Sequence, residues 1–399
     1  MKIEEINRFI PKNQIIKLSK ETTKPTYYHF EKIIDHKIKK LKEVFGGDAV
    51  ILFAIKSNNH ETIINKMAKS VDGFDIASVG ELELIKNHKS NYVFFSGPGK
   101  TQDDIKLALN QDKKIIFNVE SEQELSNIEI VAKKLNISAE ISLRLNLQIK
   151  SIKSGFKMGS KGQFGMDLET INRILSNKNN YPNCNICSFH NHYGSQILDH
   201  ESVINVYTST INEVKKLSKK YNLEVKYINL GGGLGVTYFE SQNNLDLKKL
   251  KSSWKALIES ENNFLKNIQL FIEPGRFLVA ESGIFITKVI YTKKIRENNF
   301  AIVNSGMHHN YVLAGGMGQI IRRNFMYEII PYSLKETPKI KYNICGVLCT
   351  PQDTLLTNVE EKINPEDRII FYNTGAYGLS SSPINFLSHP IAEIKFINN

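Results

Sequence analysis

Short apolar segments alternate eight times with amphipathic segments between residues 50 and 272, and this alternation restricts the fold more than any other feature of the chain. The apolar segments are rich in β-branched and aromatic side chains, which is typical of buried parallel strands. They span residues 50–55, 73–77, 92–95, 115–119, 139–145, 185–190, 225–230 and 268–272. Segments with helical spacing lie between them, for example at 121–135, 201–221 and 247–266. Eight strand–helix units in about 250 residues predict an α/β fold, the (β/α)8 or TIM barrel.

The chain on either side of these units has a different pattern. Residues 1–25 show no regular spacing, and residues 27–45 have helical spacing that stops at two glycines. After about residue 280 short β-rich runs follow one another without helices, at 283–292, 300–303, 340–347 and 368–372. We therefore predict a barrel at 26–280 and a C-terminal all-β, barrel-like domain made of 281–399 together with 1–25.

Composition and charge narrow the class of protein. With 399 residues and 41% hydrophobic content, the chain can bury a large core. The formal net charge of +11 comes from scattered lysines, and no zinc-finger or stacking-aromatic motif is present, so we predict no nucleic-acid partner. No apolar run approaches the length of a membrane span, and the first residues lack an apolar signal core. We predict a cytoplasmic protein with no membrane partner.

The four cysteines form two close pairs, Cys184 with Cys187 and Cys345 with Cys349. Cys187 lies inside a predicted strand, where its side chain is expected to be packed, and the spacing of the second pair is unusual for zinc. We therefore predict no bound metal. A cytoplasmic chain of this size also implies no disulfide framework.

Polar residues and glycines follow most of the predicted strands, at the end where barrel enzymes have their active sites. Lys56, after the first strand, is a candidate for a Schiff base to a carbonyl cofactor, although it could be a plain surface-loop residue. The glycine run after the seventh strand can bring backbone amides close to a phosphate, although such runs are often only tight turns. The candidate positions are Lys56, Asp75, Ser78, Arg144, His192, Ser195, Gly231, Gly232, Gly233, Glu273, Gly275 and Arg276. A glycine-rich segment at 150–165 is predicted to form a loop over the barrel mouth.

Together these residues specify a cofactor better than any one of them does. A lysine, a phosphate cradle, a histidine able to stack on a ring and a carboxylate in one barrel mouth indicate pyridoxal 5'-phosphate. Glu273 is the informative member, because a carboxylate against the pyridine nitrogen keeps it protonated, so the ring can accept electrons released at the substrate α-carbon. The alternative interpretation of Glu273 is an extended residue before Pro274 with no chemical role.

The same segments resemble a known family, the alanine-racemase-fold (type III) pyridoxal-phosphate decarboxylases, which include diaminopimelate and ornithine decarboxylases. The resemblance covers nearly the whole chain. It rests on Phe53–Asn58, Gly73–Leu82, His190–Gln196, the triple glycine, Glu273–Arg276 and Asn373–Tyr377.

The resemblance implies roles for the matching residues. Lys56 would form the Schiff base, His192 would stack on the cofactor ring, and Glu273 would contact its nitrogen. The implied phosphate ligands are Ser195, the three glycines, Arg276 and Tyr377. Cys349 matches the cysteine that protonates the α-carbon after carbon dioxide leaves; in the family it belongs to the neighbouring subunit, which implies a head-to-tail homodimer with shared active sites. Otherwise, Cys349 would be a buried small hydrophobe.

The chain departs from the best-known members at Thr350. Diaminopimelate and ornithine decarboxylases carry an acidic residue there, which can hold the distal ammonium of a diamino acid, and threonine cannot supply that charge. The Cys-Thr-Pro-x-Asp form, with segments 96–101, 157–165 and 316–324, resembles a sub-branch that acts on conjugated amino acids in siderophore and antibiotic pathways. Asn304 stands where that sub-branch more often has aspartate, and its role is open.

The substrate prediction follows from this departure. Two neighbouring arginines can each bind a carboxylate through two hydrogen bonds. A substrate whose distal part carries several carboxylates therefore suits this site better than one with a terminal amine. The predicted substrate-binding residues are His308, His309, Arg322, Arg323, Thr350 and Asp353. We predict a decarboxylase of an amino-acid conjugate such as N-citryl-ornithine, in citrate-based siderophore biosynthesis. The simpler interpretation of Arg322 and Arg323 is a solvated pair at a strand edge.

Other functions fit parts of the pattern. A decarboxylase of free diaminopimelate, ornithine or lysine and a decarboxylase of a carrier-bound glutamyl group are the nearest alternatives. A racemase of the same fold would prefer an arginine at the pyridine nitrogen, where this chain has Glu273. A non-catalytic pyridoxal-phosphate carrier would lack the β domain and its cysteine.

Overall fold

The computed structural model describes residues 1–150, 152–157, 159, 162–316, 323–333 and 337–398. The α-helices span Ile3–Ile6, Lys12–Glu21, Glu31–Phe45, Glu61–Ala68, Val79–Leu84, Gln102–Leu109, Glu122–Leu135, Leu168–Ser176, His200–Tyr221, Leu247–Leu265 and Gly275–Val279. Short 3-10 helices span Ile55–Ser57, Lys178–Asn180, Ala280–Ser282, Leu379–Ser381 and Phe386–Ser388. The barrel strands span Ala49–Ala54, Gly73–Ile76, Tyr92–Phe95, Ile115–Val119, Ala139–Arg144, Cys184–His190, Tyr227–Asn229 and Gln269–Ile272. The other strands span Thr26–Phe30, Phe156–Lys157, Gly194–Ser195, Gly283–Ile295, Asn298–Val303, Tyr327–Ile330, Ile340–Cys345, Thr354–Glu361, Arg368–Phe371 and Glu393–Ile397.

Eight parallel strands close into a barrel, which confirms the predicted fold class. The strands pair in chain order, and the eighth, Gln269–Ile272, pairs with the first, Ala49–Ala54. Every barrel strand begins and ends within two residues of its predicted bounds. The prediction succeeds because strands covered on both sides are nearly continuous apolar runs that stand out from the helices between them.

Large apolar side chains fill the amino-terminal half of the barrel interior. Phe94 and Phe271 lie on strands that are not neighbours, yet their ring centroids are 4.9 Å apart, so both point inward. Ile116 packs in the same cluster. Because side chains alternate along a strand, the polar residues Asn118 and Glu273, two positions further on, also face the interior, nearer the carboxyl end.

Local signals at the helix ends explain why the predicted helices form. Helix Glu122–Leu135 begins after Ser121, whose hydroxyl accepts a hydrogen bond from the Glu124 amide at 3.1 Å. The helix ends at Asn136, which takes the left-handed conformation at φ 55°. The helix packs on the barrel strands beside it.

Two compact units divide the chain. The barrel unit consists of residues 38–235 and 245–276, and the β unit consists of residues 1–37, 236–244 and 277–399. An eight-stranded sheet forms the β unit, in which the long strand Gly283–Ile295 pairs with both Asn298–Val303 and Arg368–Phe371. The sequence predicts two domains, at 26–280 and at 281–399 with 1–25. That these parts fold as separate domains stays a prediction.

The prediction for the first 45 residues was wrong in two places. Thr26–Phe30 is a strand and not the start of a helix; it pairs with Gly283–Ile286 on one side and Glu393–Ile397 on the other, and all five of its residues are buried. The helix begins only at Glu31. Residues 1–25, predicted to be irregular, contain two helices. The apolar spacing of the strand runs into that of the helix, so periodicity alone did not separate them.

Within the described ranges, no helix is long and apolar enough to span a membrane. The same residues contain no group of three or more histidine, cysteine, aspartate or glutamate side chains that could hold a metal ion.

Substituting Gly73 tests how closely the second and third barrel strands approach. A Cβ atom at Gly73 would lie 2.1 Å from the backbone oxygen of Tyr92, which cannot move away by itself. We expect Gly73→Ala to lower the free energy of unfolding by about 2 kcal/mol, a usual cost of overpacking. Gly99→Ala is the matched control, because a Cβ there would have no heavy atom within 4 Å. Urea denaturation measures both, and equal effects would contradict the expectation.

Candidate active site

Lys56 and Asp75 form an ion pair at the barrel mouth. Lys56 lies in the short helix after the first strand, and its Nζ donates to Asp75 Oδ2 at 2.7 Å. The Lys56 side chain is 37% exposed whereas that of Asp75 is fully buried. Asp75 therefore holds the ammonium group on its buried side, and the exposed part of the Lys56 side chain is accessible to a ligand.

A hydrogen-bonded chain fixes the Asp75 carboxylate. Ser96 Oγ donates to Asp75 Oδ1 at 2.5 Å, and Asn118 Nδ2 donates to Ser96 Oγ at 2.9 Å. Asp75 and Asn118 lie on the second and fourth barrel strands and Ser96 directly follows the third, so the closed barrel brings them together. The sequence prediction missed Ser96 and Asn118, and their only signal was their position at strand ends.

Glu273 is a second buried carboxylate of the site. Its Oε1 lies 3.5 Å from His190 Nε2 and 3.3 Å from His192 Nδ1, and its Oε2 accepts from Asn229 Nδ2 at 3.2 Å. Burial acts to raise the pKa of Glu273, but His190 and the nearby Lys56 outweigh burial and hold the pKa well below its usual value. Glu273 is therefore an anion at neutral pH.

The backbone assigns the tautomer of His192. The Gly232 amide donates to Nδ1 of His192 at 3.1 Å, so Nδ1 acts as an acceptor and carries no proton. Burial lowers the pKa of His192, which favours the same neutral ring. The proton of the neutral imidazole then lies on Nε2, and His192 adds no positive charge to the site.

The triple glycine forms a turn that only glycine can make. Gly231 and Gly233 have φ angles of +75° and +93°, and a Cβ on any of the three would lie 2.3–2.5 Å from a backbone oxygen. The turn therefore packs directly against its neighbours in the barrel unit. Its backbone, free of side chains, can come close to an anion.

Arg144 ends the fifth strand and is buried in an ion pair with Glu120. Its Nη1 donates to Glu120 Oε1 at 2.6 Å. Glu120 also accepts backbone hydrogen bonds from Gly97 at 3.2 Å and from Gly165 at 3.0 Å. The sequence prediction included Arg144 but missed Glu120, which ties this arginine to two loops. A Glu-x-x-x-Glu pattern after the fourth strand, at 120 and 124, was the only signal available.

The other predicted barrel residues lie at the same end of the strands. Ser78 is exposed, and its hydroxyl caps the following helix by accepting from the Glu81 amide at 3.2 Å. Ser195 pairs through its backbone with Phe156, which anchors part of the 150–165 segment. Gly275 and Arg276 form the first turn of helix Gly275–Val279. Met158, Ser160 and Lys161 of the predicted loop lie outside the described residues.

In the β unit, Cys349 is exposed, contrary to its interpretation as a buried hydrophobe. The nearby Asp353 is buried, and its two oxygens accept backbone hydrogen bonds from Met307 at 2.6 Å and from Leu348 at 2.8 Å. The Asp353 carboxylate therefore holds its own loop. Thr350 lies on that loop, and its predicted contact with substrate, like that of Asp353, stays a prediction.

The other predicted substrate residues have mixed surroundings. His308 and His309 are buried with ring centroids 3.8 Å apart, and His309 Nε2 lies 2.8 Å from the Pro390 oxygen. Arg323 is exposed, with its guanidinium 4.5 Å from the centroid of the Phe239 ring. Arg322 lies outside the described residues. Tyr377, predicted to bind phosphate, is half-buried at φ 54°.

Asn304, whose role was open, has a structural environment. Its Oδ1 accepts from the Thr287 hydroxyl at 2.8 Å and the Lys288 amide at 2.9 Å, and its Nδ2 donates to the Thr23 oxygen at 3.1 Å. An aspartate could not make the last of these hydrogen bonds. Asparagine at this position therefore joins three segments of the β unit.

The barrel mouth offers a primary amine, an ionised buried carboxylate, a neutral imidazole and a glycine turn. An amine held by a carboxylate can form a covalent link to a carbonyl group. An ionised carboxylate can hold a proton on a ring nitrogen, and a side-chain-free turn suits a phosphate. These four features occur in one compact unit and at one end of the barrel.

The chain resembles known proteins over nearly its whole length. The family model described as "Pyridoxal-dependent decarboxylase, pyridoxal binding domain" matches residues 31–280. L-glutamyl-(BtrI acyl-carrier protein) decarboxylase of Niallia circulans is 30% identical, with 94% of this chain and 89% of the relative covered. The 2-((L-alanin-3-ylcarbamoyl)methyl)-2-hydroxybutanedioate decarboxylase of Staphylococcus aureus is 28% identical, with 91% and 92% covered. The structure of Helicobacter pylori diaminopimelate decarboxylase complexed with L-lysine superposes with a TM-score of 0.83 at 26% identity, covering 96% of this chain and 93% of that one.

Removing the charge of Glu120 tests its hold on Arg144. We expect Glu120→Gln to lower the free energy of unfolding by about 3 kcal/mol or more, because it leaves a buried guanidinium without its counter-ion. Glu122→Gln is the matched control, since Glu122 and Arg173 form a pair whose side chains are 34% and 48% exposed. The control should cost less than about 1 kcal/mol. Urea denaturation that gave the two variants the same midpoint would refute the role of Glu120.

The buried His308 predicts a loss of stability in mild acid. Burial, with His309 and His389 nearby, lowers the pKa of His308 to about 4, whereas an unfolded histidine has a pKa near 6.5. The unfolded chain therefore takes up the proton first, and stability contributed by His308 falls as the pH drops below about 6.5. Between pH 7 and pH 5 we expect this residue to account for roughly 2 kcal/mol of lost stability.

Urea denaturation at both pH values measures this effect. His308→Gln should lose less stability between pH 7 and pH 5 than the wild type does. His88→Gln, at a partly exposed histidine, should follow the wild type. If His308→Gln showed the full loss, another group would be the cause.

Proposed function

The chain belongs to the pyridoxal-dependent decarboxylases, and from this premise we propose that it removes the α-carboxylate of an amino-acid conjugate whose tail carries several carboxylates, such as N-citryl-ornithine. The cofactor of this family is pyridoxal phosphate, and the reaction is an amino-acid decarboxylation. We further propose a carboxylate-rich tail on the substrate and an active site shared between two subunits.

The barrel residues fit the cofactor. Glu273 is ionised where the ring nitrogen needs a carboxylate, and the glycine turn is too closely packed to carry side chains. Lys56 would hold the cofactor covalently through Nζ, and His192 would lie against the ring. The residues that would hold the phosphate are Gly231, Gly232, Gly233, Ser195, Gly275, Arg276 and Tyr377. Asp75, Ser78 and Arg144 would support other parts of the cofactor site.

Different side chains of the barrel would have different roles in the reaction. When bound, pyridoxal phosphate supplies a sink for the electron pair left at the α-carbon as carbon dioxide departs. Glu273 keeps a proton on the ring nitrogen and so maintains that sink. His192 is neutral and does not oppose that proton. Asp75 orients the Lys56 amine, and Ser96 and Asn118 keep Asp75 in place.

Cys349 would deliver the proton that replaces carbon dioxide. Its thiol is exposed on the β unit, so it is available to a second subunit. A Sγ–H group positioned at the α-carbon acts as a general acid and sets where the proton is added. We propose that each active site combines the barrel residues of one subunit with Cys349 of the other in a head-to-tail homodimer.

The observation that carries the substrate proposal is the charge around Thr350. Thr350 lines a pocket of about 480 Å³ in the β unit, together with Lys293 and Asp353. Among the described lining residues, Asp353 is the one carboxylate, and both its oxygens are already bonded to backbone amides. Lys293 is exposed. This pocket therefore favours an anionic tail over the terminal ammonium of a free diamino acid.

The names of the relatives agree with this class of substrate. The Staphylococcus aureus relative acts, by its name, on an alanine joined through a carbamoylmethyl group to 2-hydroxybutanedioate, which is itself a carboxylate-rich conjugate. The Niallia relative acts on a glutamyl group carried by a protein. Decarboxylation of a free diamino acid is the second candidate, favoured by the similarity to diaminopimelate decarboxylases.

Mixing inactive variants tests the shared site. A heterodimer of Lys56→Ala and Cys349→Ala subunits has one site with both substitutions and one wild-type site. Random mixing should therefore restore about a quarter of the wild-type activity, because about half of the dimers are heterodimers. As a control, Lys56→Ala mixed with Glu273→Gln should restore none, since both substitutions lie in the barrel unit. No recovery in the first mixture would rule out the exchange of Cys349 between subunits.

Comparing kcat/KM for several substrates tests the prediction that the substrate carries a carboxylate-rich tail. We expect kcat/KM for N-citryl-ornithine to exceed that for free ornithine, lysine or diaminopimelate by about a thousandfold or more, because a site that binds the carboxylates of the tail leaves its binding groups unpaired when the tail is missing. Thr350→Glu should narrow the gap by adding an anion to the pocket, and Lys293→Ala should narrow it by removing the pocket cation. Arg323 does not line this pocket, but it is a predicted tail-binding cation, and Arg323→Ala should narrow the gap as well. Arg173→Ala, at an exposed arginine of the barrel unit, is the control. Equal turnover of a free diamino acid by the wild type would contradict the proposal and favour a diamino-acid decarboxylase.

A further inference from the structure

Four buried polar side chains inside the barrel have atoms without a hydrogen-bond partner among the described residues. The atoms are Asn118 Oδ1, Ser142 Oγ, Ser188 Oγ and both ring nitrogens of His190. None of the four residues is more than 1% exposed. Native proteins satisfy nearly all buried polar atoms, so such a group calls for a partner.

Strand register places the four residues side by side. Asn118 lies directly across from Ser142, and Ser142 lies directly across from Ser188. Ser188 precedes His190 by two positions on one strand, so both side chains leave the same face. His190 faces the interior, because its Nε2 lies 3.5 Å from Glu273 Oε1. We call these four residues the inner polar patch.

The patch is polar and its side chains are small at the centre. Barrels of this fold usually fill their inner layers with bulky branched side chains. Here Ser142 and Ser188 stand on adjacent strands, where two such side chains would otherwise meet. A polar space of this kind suits water, which makes about three hydrogen bonds to buried groups that lack partners.

We propose that the inner polar patch binds a small cluster of ordered water molecules. These waters link Ser142 and Ser188 to Asn118 on one side and to His190 on the other. Asn118 continues through Ser96 to Asp75, and His190 lies against Glu273. The waters therefore join Asp75 and Glu273 into one hydrogen-bonded network inside the barrel. This inference does not depend on the identity of the substrate.

A double-mutant cycle on the holoenzyme tests the proposal. If the two hydroxyls share water molecules, Ser142→Ala and Ser188→Ala each lower the melting temperature by about 2 °C or more, and the double variant loses clearly less than the sum. If the hydroxyls were simply unpaired, each alanine would leave the melting temperature unchanged or raise it, and the changes would add. The latter result would overturn the proposal.

Ser305→Ala provides the matched control. Ser305 is also a fully buried serine whose hydroxyl has no partner among the described residues, but it lies in the β unit. Its effect should add to that of Ser142→Ala without coupling. Coupling of equal size with Ser305 would mean that the cycle reports a general change in stability, and the shared waters would be rejected.

A crystal structure of the wild-type holoenzyme provides an independent test of the water cluster. We expect density for water oxygen atoms within about 3.2 Å of both serine hydroxyls, and its loss in the double alanine variant. Hydroxyls turned onto backbone oxygens, with no water between the strands, would overturn the proposal.

Discussion

The site depends on keeping one buried carboxylate charged. Glu273 is enclosed at the end of the eighth strand, where burial alone would favour the protonated form. His190, His192 and Asn229 come from the sixth and seventh strands or the turn after the sixth, and they surround this one group. In the proposed function, a neutral Glu273 could not keep a proton on the cofactor nitrogen, so the barrel would have to close before the chemistry is possible.

The barrel could be predicted from the sequence because its signals are local. Each strand is a short apolar run, and each α-helix between the barrel strands begins after a residue whose side chain caps it, as Ser121 does for helix Glu122–Leu135. Thr26–Phe30 could not be predicted in this way, because its partners, at 283–286 and 393–397, lie more than 250 residues away. A strand whose conformation is fixed by such distant pairing carries little local evidence of it.

The site could be predicted only for residues with distinctive chemistry. Lys56, Glu273 and the triple glycine follow strands, and strand ends meet at one face of a barrel. Glu120 and His190 were missed, because their importance comes from neighbours across the barrel: Arg144 for the first and Glu273 for the second. Such contacts appear only once strand register is known, and a sequence pattern does not give that register.

In the loop that carries Cys349, the residue that fixes the loop, Asp353, is not the residue at position 350 where the charge can change. Asp353 fixes the loop by accepting from Met307 and Leu348, and a Cβ at Gly346 would lie 2.2 Å from its carboxylate. The Thr350 side chain makes no hydrogen bond with that carboxylate in the described part of the chain; its hydroxyl accepts only a long hydrogen bond of 3.4 Å from the Gln352 amide. An acidic or neutral residue can therefore occupy position 350 while the cysteine stays where it is. Under the proposed function, such an arrangement would preserve the general acid while the charge offered to the substrate tail could differ between relatives.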